Sequence, residues 1–441
     1  MSFISKLFRD YRLSIIFGFC LSMLSASCIR SMNSSSQMQI RDKKIVKLNL
    51  ITADGQSETI TDPEQLKGYQ SIDFLEPQPY QKVLRIFNRF HNGNIPSVIT
   101  SYHPNGQIYQ YLEAIDGRAK GLYKEWYETG VKRIEAVLDG GIADLYPAAE
   151  KQWVFQGKNY VWDEQGHLVA LILYQNGLLD GAATYYYTDG RIKKVVPYCK
   201  GAREGTSVSY FEDGQVQKEA DYKEGKRQGI TKVWRRGHLL QYQEIYQSGK
   251  LVTGFYYDKN QNLTDEVIEG EGWKIREVWD GALHKYQIKK GELDGEVRLY
   301  NLQNQLEQIY HMHNDKRHGE QLIYYTDNLL GKLALQQSID WYEDCIHGLV
   351  KTWYLNGQLA SQRHMCRNKK QGLCSAWYPN GDLMLMEDYD GDLLIKGEYF
   401  SKGKKFPDSV VNNGSGIASI FDSEGRLLNR IKYKEGRIVS P

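Results

Sequence analysis

A turn signal, usually a Gly that follows Asp or Asn by one or two positions, returns about every 24 residues along most of this chain. A repeat this short is one supersecondary unit, and such a unit cannot bury its apolar face alone. The period therefore predicts an array of small units packed on one another. The first turns fall at Gly106, Gly130, Gly166, Gly190, Gly214, Gly237, Gln261, Asn304, Asn328, Gly357, Gly381 and Gly425.

A second turn follows about eleven residues later as Gly, Asn or Asp, three residues rich in Lys and Arg, and a closing Gly. Such turns need residues that tolerate a positive φ, which explains the Gly, Asn and Asp. Five positions past each closing glycine stands an aromatic residue, here called a closing aromatic. The eight closing aromatics are Trp126, Tyr186, Tyr210, Trp234, Tyr300, Tyr324, Trp353 and Trp377.

Each repeat is therefore predicted to be one β-hairpin with an aromatic and aliphatic face. Aliphatic residues such as Ile108 and Leu359 stand two positions after the first turns, and Tyr or Met stands eight positions after several of them. Even offsets lie on one side of a strand. Pairing that is symmetric about the second turn would place the closing aromatics on that same side.

Several short motifs recur at the turns. They are Tyr-Pro-Asn-Gly at 378 to 381, His-Pro-Asn-Gly at 103 to 106, the Gly-x-x-x-Gly spacing, and Trp-Tyr pairs at 126 to 127, 353 to 354 and 377 to 378. Together they resemble MORN (membrane occupation and recognition nexus) repeats over about residues 91 to 441. The resemblance is nearest to a bacterial variant associated with toxin-antitoxin systems as an antitoxin component.

This resemblance implies a mainly β fold, in which stacked hairpins form an elongated, twisted, single-layer antiparallel sheet. It also implies a scaffold or binding surface more than a reaction. An antitoxin-like neutraliser or regulator of a partner protein is the alternative, although an export signal argues against a cytoplasmic antitoxin.

Residues 1–27 have the pattern of a signal peptide. A basic start, about a dozen mostly apolar residues and a small-residue cleavage site precede Cys28. Cys28 resembles a lipidation site, with Ser25 where the usual motif has Leu, and Ile29 implies the outer membrane by the same resemblance. Plain secretion, a periplasmic protein and an uncleaved anchor stay open. Residues 28–43 are predicted to be a flexible tether.

Three segments depart from the period. Residues 44–90 combine a strand pattern, an Asp-Gly turn and a helix start at Thr61-Asp62-Pro63-Glu64, which predicts a small α+β capping segment. Residues 137–161 and 265–291 are interpreted as insertions in the array at 91–441, either as longer connections or as parts of a binding face.

Charge and motif content limit the functions considered. Removing residues 1–27 takes away three basic residues and one acidic residue, which leaves 53 of each. Nucleic-acid binding needs a basic excess or patch, so it is not expected. Paired basic residues at the second turns, such as Lys226-Arg227 and Lys369-Lys370, are solvated turn residues or a basic stripe.

The reactive side chains do not converge in the sequence. Cys366 and Cys374 are equidistant from a turn centre, so a disulfide between them is an alternative to free thiols. His311, His313 and His318 are candidate metal ligands, with surface histidines as the simpler interpretation. No catalytic, cofactor or small-molecule site is evident.

The expectation is therefore a non-enzymatic, exported and membrane-anchored repeat scaffold with a protein partner. The closing aromatics would either bind that partner or stack on one another between repeats; an enzyme acting in the cell envelope is the least favoured interpretation.

Overall fold

The computed structural model describes residues 43–278, 281–326 and 333–439. The predicted signal peptide, Cys28, nearly all of the predicted tether and the predicted turn at Asn328 lie outside the described residues. The chain divides into two compact units, which are treated separately below. Unit 1 runs to Gly249 and includes Asp258–Gln261; unit 2 comprises Lys250–Tyr257 and the residues from Asn262 onward.

Within each unit the strands follow the chain order and pair antiparallel. In four places two strands share one partner: β2 and β3 pair with β1, β10 and β11 with β9, β13 and β14 with β12, and β24 and β25 with β23. The predicted mainly β fold of antiparallel hairpins with a small α+β segment is confirmed. Unit 1 contains β1 Ile45–Thr52, β2 Ser57–Ile60, α1 Pro63–Tyr69, β3 Tyr80–Phe87, β4 Pro96–Tyr102, β5 Ile108–Ile115, β6 Arg118–Trp126, β7 Lys132–Ile142, α2 Pro147–Glu150, β8 Phe155–Trp162, β9 Leu168–Gln175, β10 Leu178–Leu179, β11 Gly181–Tyr186, β12 Ile192–Cys199, β13 Ala202–Arg203, β14 Gly205–Tyr210, β15 Val216–Lys223, β16 Lys226–Arg235 and β17 Leu239–Gln247.

Unit 2 repeats the same hairpin architecture. Its strands are β18 Lys250–Tyr257, β19 Leu263–Ile268, β20 Glu271–Glu277, β21 Leu283–Lys289, β22 Glu292–Tyr300, β23 Leu306–His313, β24 Lys316–Arg317, β25 Gly319–Tyr325, β26 Ala334–Tyr342, β27 Cys345–Trp353, β28 Leu359–Cys366, β29 Lys369–Trp377, β30 Leu383–Asp390, β31 Leu393–Tyr399, β32 Ser409–Asn412, β33 Ser415–Phe421, β34 Leu427–Lys434 and β35 Arg437–Ile438.

The first turns are three-residue loops closed by two backbone hydrogen bonds. The His103 N–H donates to the Gln107 carbonyl at 2.8 Å, and the Gly106 N–H donates to the His103 carbonyl at 2.9 Å. The glycine takes a left-handed conformation in which a Cβ is strained. The φ values lie between 81° and 92° at Gly106, Gly130, Gly166, Gly190, Gly214, Gly357 and Gly381.

The second turns are tighter than the five-residue motif suggests. Lys223 pairs with Lys226, which leaves Glu224 and Gly225 as a two-residue loop with φ values of 50° and 79°. The closing Gly229 is not in the turn but in a bulge, because the register shifts between Ala220 and Tyr222. Gly-x-x-x-Gly therefore spans the end of a turn and the bulge that follows it.

In four repeats a polar side chain occupies the gap that a bulge of this kind opens. Asp340 Oδ2 accepts a hydrogen bond from the Leu349 N–H at 2.8 Å, directly after the closing Gly348. Glu113, Asp221 and Gln287 accept from the equivalent N–H in their own repeats. An N–H that the ladder leaves unpaired is thus satisfied by a residue eight positions before the closing glycine.

A register shift also follows the first turns, and it corrects the predicted faces. Tyr102 pairs with Ile108 but Ser101 pairs with Gln110, so Tyr109 is an extra residue. The two-residue alternation therefore breaks, and Ile108 belongs to a different buried cluster from Leu112. Aliphatic residues two positions after the turns share a face with the closing aromatics, as expected, but residues six and eight positions after the turns lie on the opposite face.

Cys366 and Cys374 do not form the disulfide that was one of the two alternatives. The two-residue turn at Arg367 and Asn368 places Cys366 opposite Lys369, and the bulge then places Cys374 opposite Arg363. Both cysteines are free, with Cys366 exposed and Cys374 buried.

The N-terminal segment continues the sheet of unit 1. Strand β1 pairs with β2 and β3, and β3 pairs with β4. Asp62 begins α1 by accepting hydrogen bonds from the N–H groups of Glu64 and Gln65, as an N-cap does, and Leu66 is buried in the adjoining core.

The two interpreted insertions differ from each other. Residues 137–161 contain the end of the long strand β7 and the short helix α2, after which Trp153 returns to the core against Tyr123 at a ring distance of 4.7 Å. Residues 265–291 instead form ordinary hairpins of β19, β20 and β21 around a first turn at Gly281. The sequence period did not reveal that turn, because Gly281 comes 20 residues after Gln261 and the period is about 24.

Hydrogen bonds link each repeat to the next at both ends of the hairpins. At the second turns, the Gly225 N–H donates to the Arg203 carbonyl at 2.9 Å and the Gly249 N–H to the Arg227 carbonyl at 2.8 Å. At the first turns, the hydroxyl of Tyr354 donates to the carbonyl of Trp377 at 2.9 Å. Tyr187 and Tyr378 make the equivalent bonds one repeat onward.

We predict that Gly348→Ala destabilises unit 2. The added Cβ would lie 2.6 Å from Asp340 Oδ2, at a φ of 121° that alanine rarely adopts. The expected loss is about 1 to 3 kcal/mol, measured by thermal or denaturant unfolding followed by circular dichroism.

The matched control is Gly68→Ala in α1, where no atom lies within 4 Å of the added Cβ and φ is not positive. This change should leave stability unchanged or raise it slightly. Equal unfolding curves for the two variants would contradict the bulge assignment.

Candidate interaction surface

The closing aromatics form a row on one face of each unit, called the outer face here. All eight are half-buried. Each pairs with a residue of the next strand at a register shift, as Tyr186 does with Ile192, Tyr210 with Val216 and Trp377 with Leu383. Trp126 departs from this pattern because its partner is Lys132.

This pairing decides how the aromatic residues are held. Neighbouring strands lie about 4.8 Å apart, so equivalent aromatics of successive hairpins are about 10 Å apart with an aliphatic side chain between them. Cross-strand pairs of an aromatic and an aliphatic residue stabilise a sheet. The rings are therefore supported by aliphatic partners and not by direct stacking on one another, and part of each ring stays accessible.

A second apolar position lies on the same outer face, directly after the closing glycine. Ile230 and Leu373 occupy it in strands β16 and β29, with exposed fractions of 41% and 50%, whereas Thr206, Glu296 and Glu320 occupy it in other repeats. Exposed apolar side chains that cluster on one face are typical of interaction surfaces.

Glu219 lies on the outer face beside Tyr210. It is opposite Val208 on one side and Lys232 on the other. The carboxyl is buried, its Oε1 has no hydrogen-bond partner among the described residues, and burial raises its pKa to about 7. Its protonation therefore changes near neutral pH.

The opposite face, called the inner face, is closed by its own side chains. Leu112, Tyr123, Ala220 and Val233 are almost fully buried in unit 1, as are Leu394 and Tyr399 in unit 2.

Buried polar residues form hydrogen-bonded networks within the inner face. In unit 1, Gln110 donates to the Tyr123 hydroxyl at 2.9 Å, the Tyr123 hydroxyl donates to Glu125 at 2.7 Å, and Arg133 pairs with Glu125 at 2.6 Å. Glu150 of α2 accepts from Gln110 at 3.2 Å, and burial raises the pKa of Glu150. These contacts attach the irregular segment to the sheet.

In unit 2 the hydroxyls of Tyr389 and Tyr399 both donate to Glu387, at 3.1 and 2.8 Å. Burial raises the pKa of both tyrosines well above the ordinary value, so they remain protonated donors. Hydrogen-bonded networks of this kind within a packed core mainly fix one arrangement of the strands.

The basic second turns do not form a simple basic stripe. The second member of several pairs folds back over a tyrosine: Arg227 lies 4.9 Å from the ring centre of Tyr246, and Lys370 lies 4.2 Å from that of Tyr389. Cation–π contacts of this kind hold the charge against the sheet. Lys226 and Lys369, the first members of these pairs, are exposed.

The candidate metal ligands lie around the second turn between β23 and β24 in unit 2. The rings of His313 and His318 are 6.1 Å apart, while His311 Nδ1 contacts the carbonyl of Glu320 and His313 Nδ1 contacts Asp294. Within residues 43–278, 281–326 and 333–439, no group of three or more His, Cys, Asp or Glu side chains could hold a metal ion. In the same ranges, no helix has the length and apolar character needed to cross a membrane.

Three segments match the protein-family model described as MORN repeat variant: residues 179–200, 203–224 and 346–366. Each extends from just after one second turn to the next second turn, so the family repeat contains one whole first-turn hairpin. No curated protein matches this chain.

Two of the solved structures that match this chain have low TM-scores against it. A crystal structure of TcdB2-TccC3 without its hypervariable C-terminal region is 10% identical, with 87% of this chain and 26% of that chain covered and a TM-score of 0.16. A porin-like protein from Bacteroides uniformis is 11% identical, with 67% and 94% covered and a TM-score of 0.12. Neither similarity informs the function of this chain.

Proposed function

We propose that this protein is a non-enzymatic repeat scaffold whose outer face binds a protein partner. The observation that carries this proposal is the recurrence, on the outer face of each unit, of half-buried aromatic rings, with the exposed aliphatic residues Ile230 and Leu373 on the strands of Trp234 and Trp377. Tyr and Trp give large contact areas at a small entropic cost and are enriched at protein interfaces. The three matches to the MORN repeat variant support a repeat module as the functional unit.

The contrast between the two faces supports the choice of the outer face. Inner-face side chains such as Val233 and Leu394 are buried by their neighbours. The outer face is covered near Trp126 by Leu66 and Phe74 of the N-terminal segment, whereas Leu373 and Ile230 on that face are 50% and 41% exposed. Charged residues such as Lys232 and Glu219 lie between the apolar positions. An alternation of anchors and polar groups is the usual composition of a non-obligate interface.

We also propose that the protein is exported and held at a membrane through Cys28, from the sequence pattern of residues 1–28 alone. A tether between Cys28 and the first strand would leave the outer face free to meet a partner. An antitoxin-like role is kept only as an outcome of the experiment below.

We predict that Ile230→Glu/Leu373→Glu abolishes partner binding while the chain stays folded. Each substitution places a charge at an exposed outer-face position, where desolvating it in an interface is costly. The measurement is cross-linking and affinity purification of tagged protein from its own cells, with melting temperature as the folding check.

The matched control is Leu302→Glu/Leu355→Glu, because these residues are 57% and 52% exposed but lie in first-turn loops. A protein recovered with the wild type and the control, and lost with the outer-face variant, supports the scaffold. Recovery of the same proteins with all three forms would overturn it. A small toxic protein among the outer-face-dependent partners would identify an antitoxin.

For the anchor, we predict that radiolabelled palmitate is incorporated into the wild type and not into Cys28→Ala. The variant should also move from the membrane fraction to the soluble fraction. Equal absence of label from both forms would refute lipidation without affecting the outer-face proposal.

A further inference from the structure

Part of the outer face in unit 1 is already occupied by the chain itself. Leu66 of α1 and Phe74, which follows that helix, are buried in one cluster with Tyr102 and Ile108. Tyr102 pairs with Ile108 at a register shift, as a closing aromatic does with the residue after its first turn. The segment at 61–78, called the covering segment here, therefore shows what kind of structure this face can bind.

Apolar contacts and hydrogen bonds both hold the covering segment. The Tyr102 hydroxyl donates to the Phe74 carbonyl at 2.9 Å, and the Gln78 N–H donates to the Gly106 carbonyl at 3.0 Å. The guanidinium carbon of Arg85 lies 4.5 Å from the centre of the Phe74 ring. The hydrogen bonds fix the position of the segment, while burial of its apolar side chains drives its docking.

Later in unit 1 the equivalent residues have no cover among the described residues. Tyr102 and Ile108 are 6% and 5% exposed, whereas Ile192, the partner of the half-buried Tyr186, is 44% exposed. Ile230 on the same face is 41% exposed. One type of apolar position is thus buried under a segment in the first repeat and open in a later one, which marks the later one as a docking surface.

The covered and the open stretches have the same width. The covering segment shares one cluster with residues of β2, β1, β3, β4 and β5, which are five adjacent strands. The strands β11, β12, β14, β15 and β16 are likewise adjacent and carry Tyr186, Ile192 and Ile230. Four steps between strands span about 19 Å, so a segment of similar length covers either stretch. Val216 in β15 is already buried, which leaves Ile192 and Ile230 as the apolar positions for an occupant.

We propose that the open stretch from β11 to β16 binds a short amphipathic segment of a partner protein, one that carries apolar side chains where the covering segment carries Leu66 and Phe74. The expected form is a short helix followed by a non-helical connection, because α1 ends at Tyr69 and Phe74 comes after it. In this mode of recognition a few apolar anchors supply most of the binding energy. The inference rests on the outer-face function proposed above and specifies the chemistry of the partner.

The test uses a fluorescently labelled peptide of residues 61–78 as the probe and measures its binding to the full-length protein by anisotropy. The control peptide has the same sequence with Leu66→Glu/Phe74→Glu. We expect the unchanged peptide to bind with a Kd below about 1 mM and at least about tenfold more tightly than the control peptide.

Two variants of the protein locate the site. Ile192→Glu/Ile230→Glu should weaken binding of the 61–78 peptide at least about tenfold, because it places charges under the apolar anchors. The control Leu302→Glu/Leu355→Glu, in first-turn loops, should not change it. Melting temperatures followed by circular dichroism check that both variants fold.

Several results would overturn the proposal. Equal affinity of the two peptides would show that the apolar anchors are not recognised. Unchanged binding to Ile192→Glu/Ile230→Glu would show that the peptide exchanges with the covering segment instead. Self-association of the full chain that Ile192→Glu/Ile230→Glu abolishes in sedimentation experiments would make the occupant a second copy of this chain.

The same experiments separate this inference from the proposed function. Absence of peptide binding up to about 1 mM, while Ile230→Glu/Leu373→Glu still loses its partners in cells, would refute the inference alone. Loss of peptide binding in Ile192→Glu/Ile230→Glu but not in the loop control would support both.

Discussion

The hydrogen bonds between successive repeats are the contacts on which the rest of this structure depends. One hairpin cannot bury its own apolar residues, so it is stable only against its neighbours. Bonds such as Gly225 N–H to Arg203 and the Tyr354 hydroxyl to Trp377 fix each hairpin at both ends. The spacing of the side chains on both faces follows from that fixed repeat.

The bulges determine which residues share a face of the sheet. The shift at Tyr109 changes which residues share a side with Ile108, and the shift before Gly348 opens the gap that Asp340 fills. Without the first shift, the aliphatic residues after the first turns would point to the inner face. The outer row of aromatic and aliphatic residues therefore exists because the strands are irregular at defined positions.

The repeat and its turns could be predicted from the sequence because glycine, asparagine and aspartate are the residues that best tolerate the positive φ of these turns. The Cys366–Cys374 pairing failed because it assumed a symmetric five-residue turn, whereas the turn has two residues and the remaining irregularity lies in a bulge. The face assignment failed also because of the register shift that follows the first turns. A bulge leaves a weak signal, although an Asp, Glu or Gln eight residues before the closing glycine marks four of them here. The buried networks around Glu125 and Glu387 gave no sequence signal, since their carboxylates resemble solvated residues until the strands are paired.

Residue-resolved hydrogen exchange tests the central role of the contacts between repeats most directly. The Gly225 N–H bonds to the preceding repeat, whereas the Gly214 N–H bonds to Phe211 within its own turn, both at 2.9 Å. If contacts between repeats hold the fold, the Gly225 amide opens only when neighbouring hairpins separate, and it exchanges far more slowly than the Gly214 amide. Exchange of the Gly225 amide as fast as that of Gly214 would contradict this account.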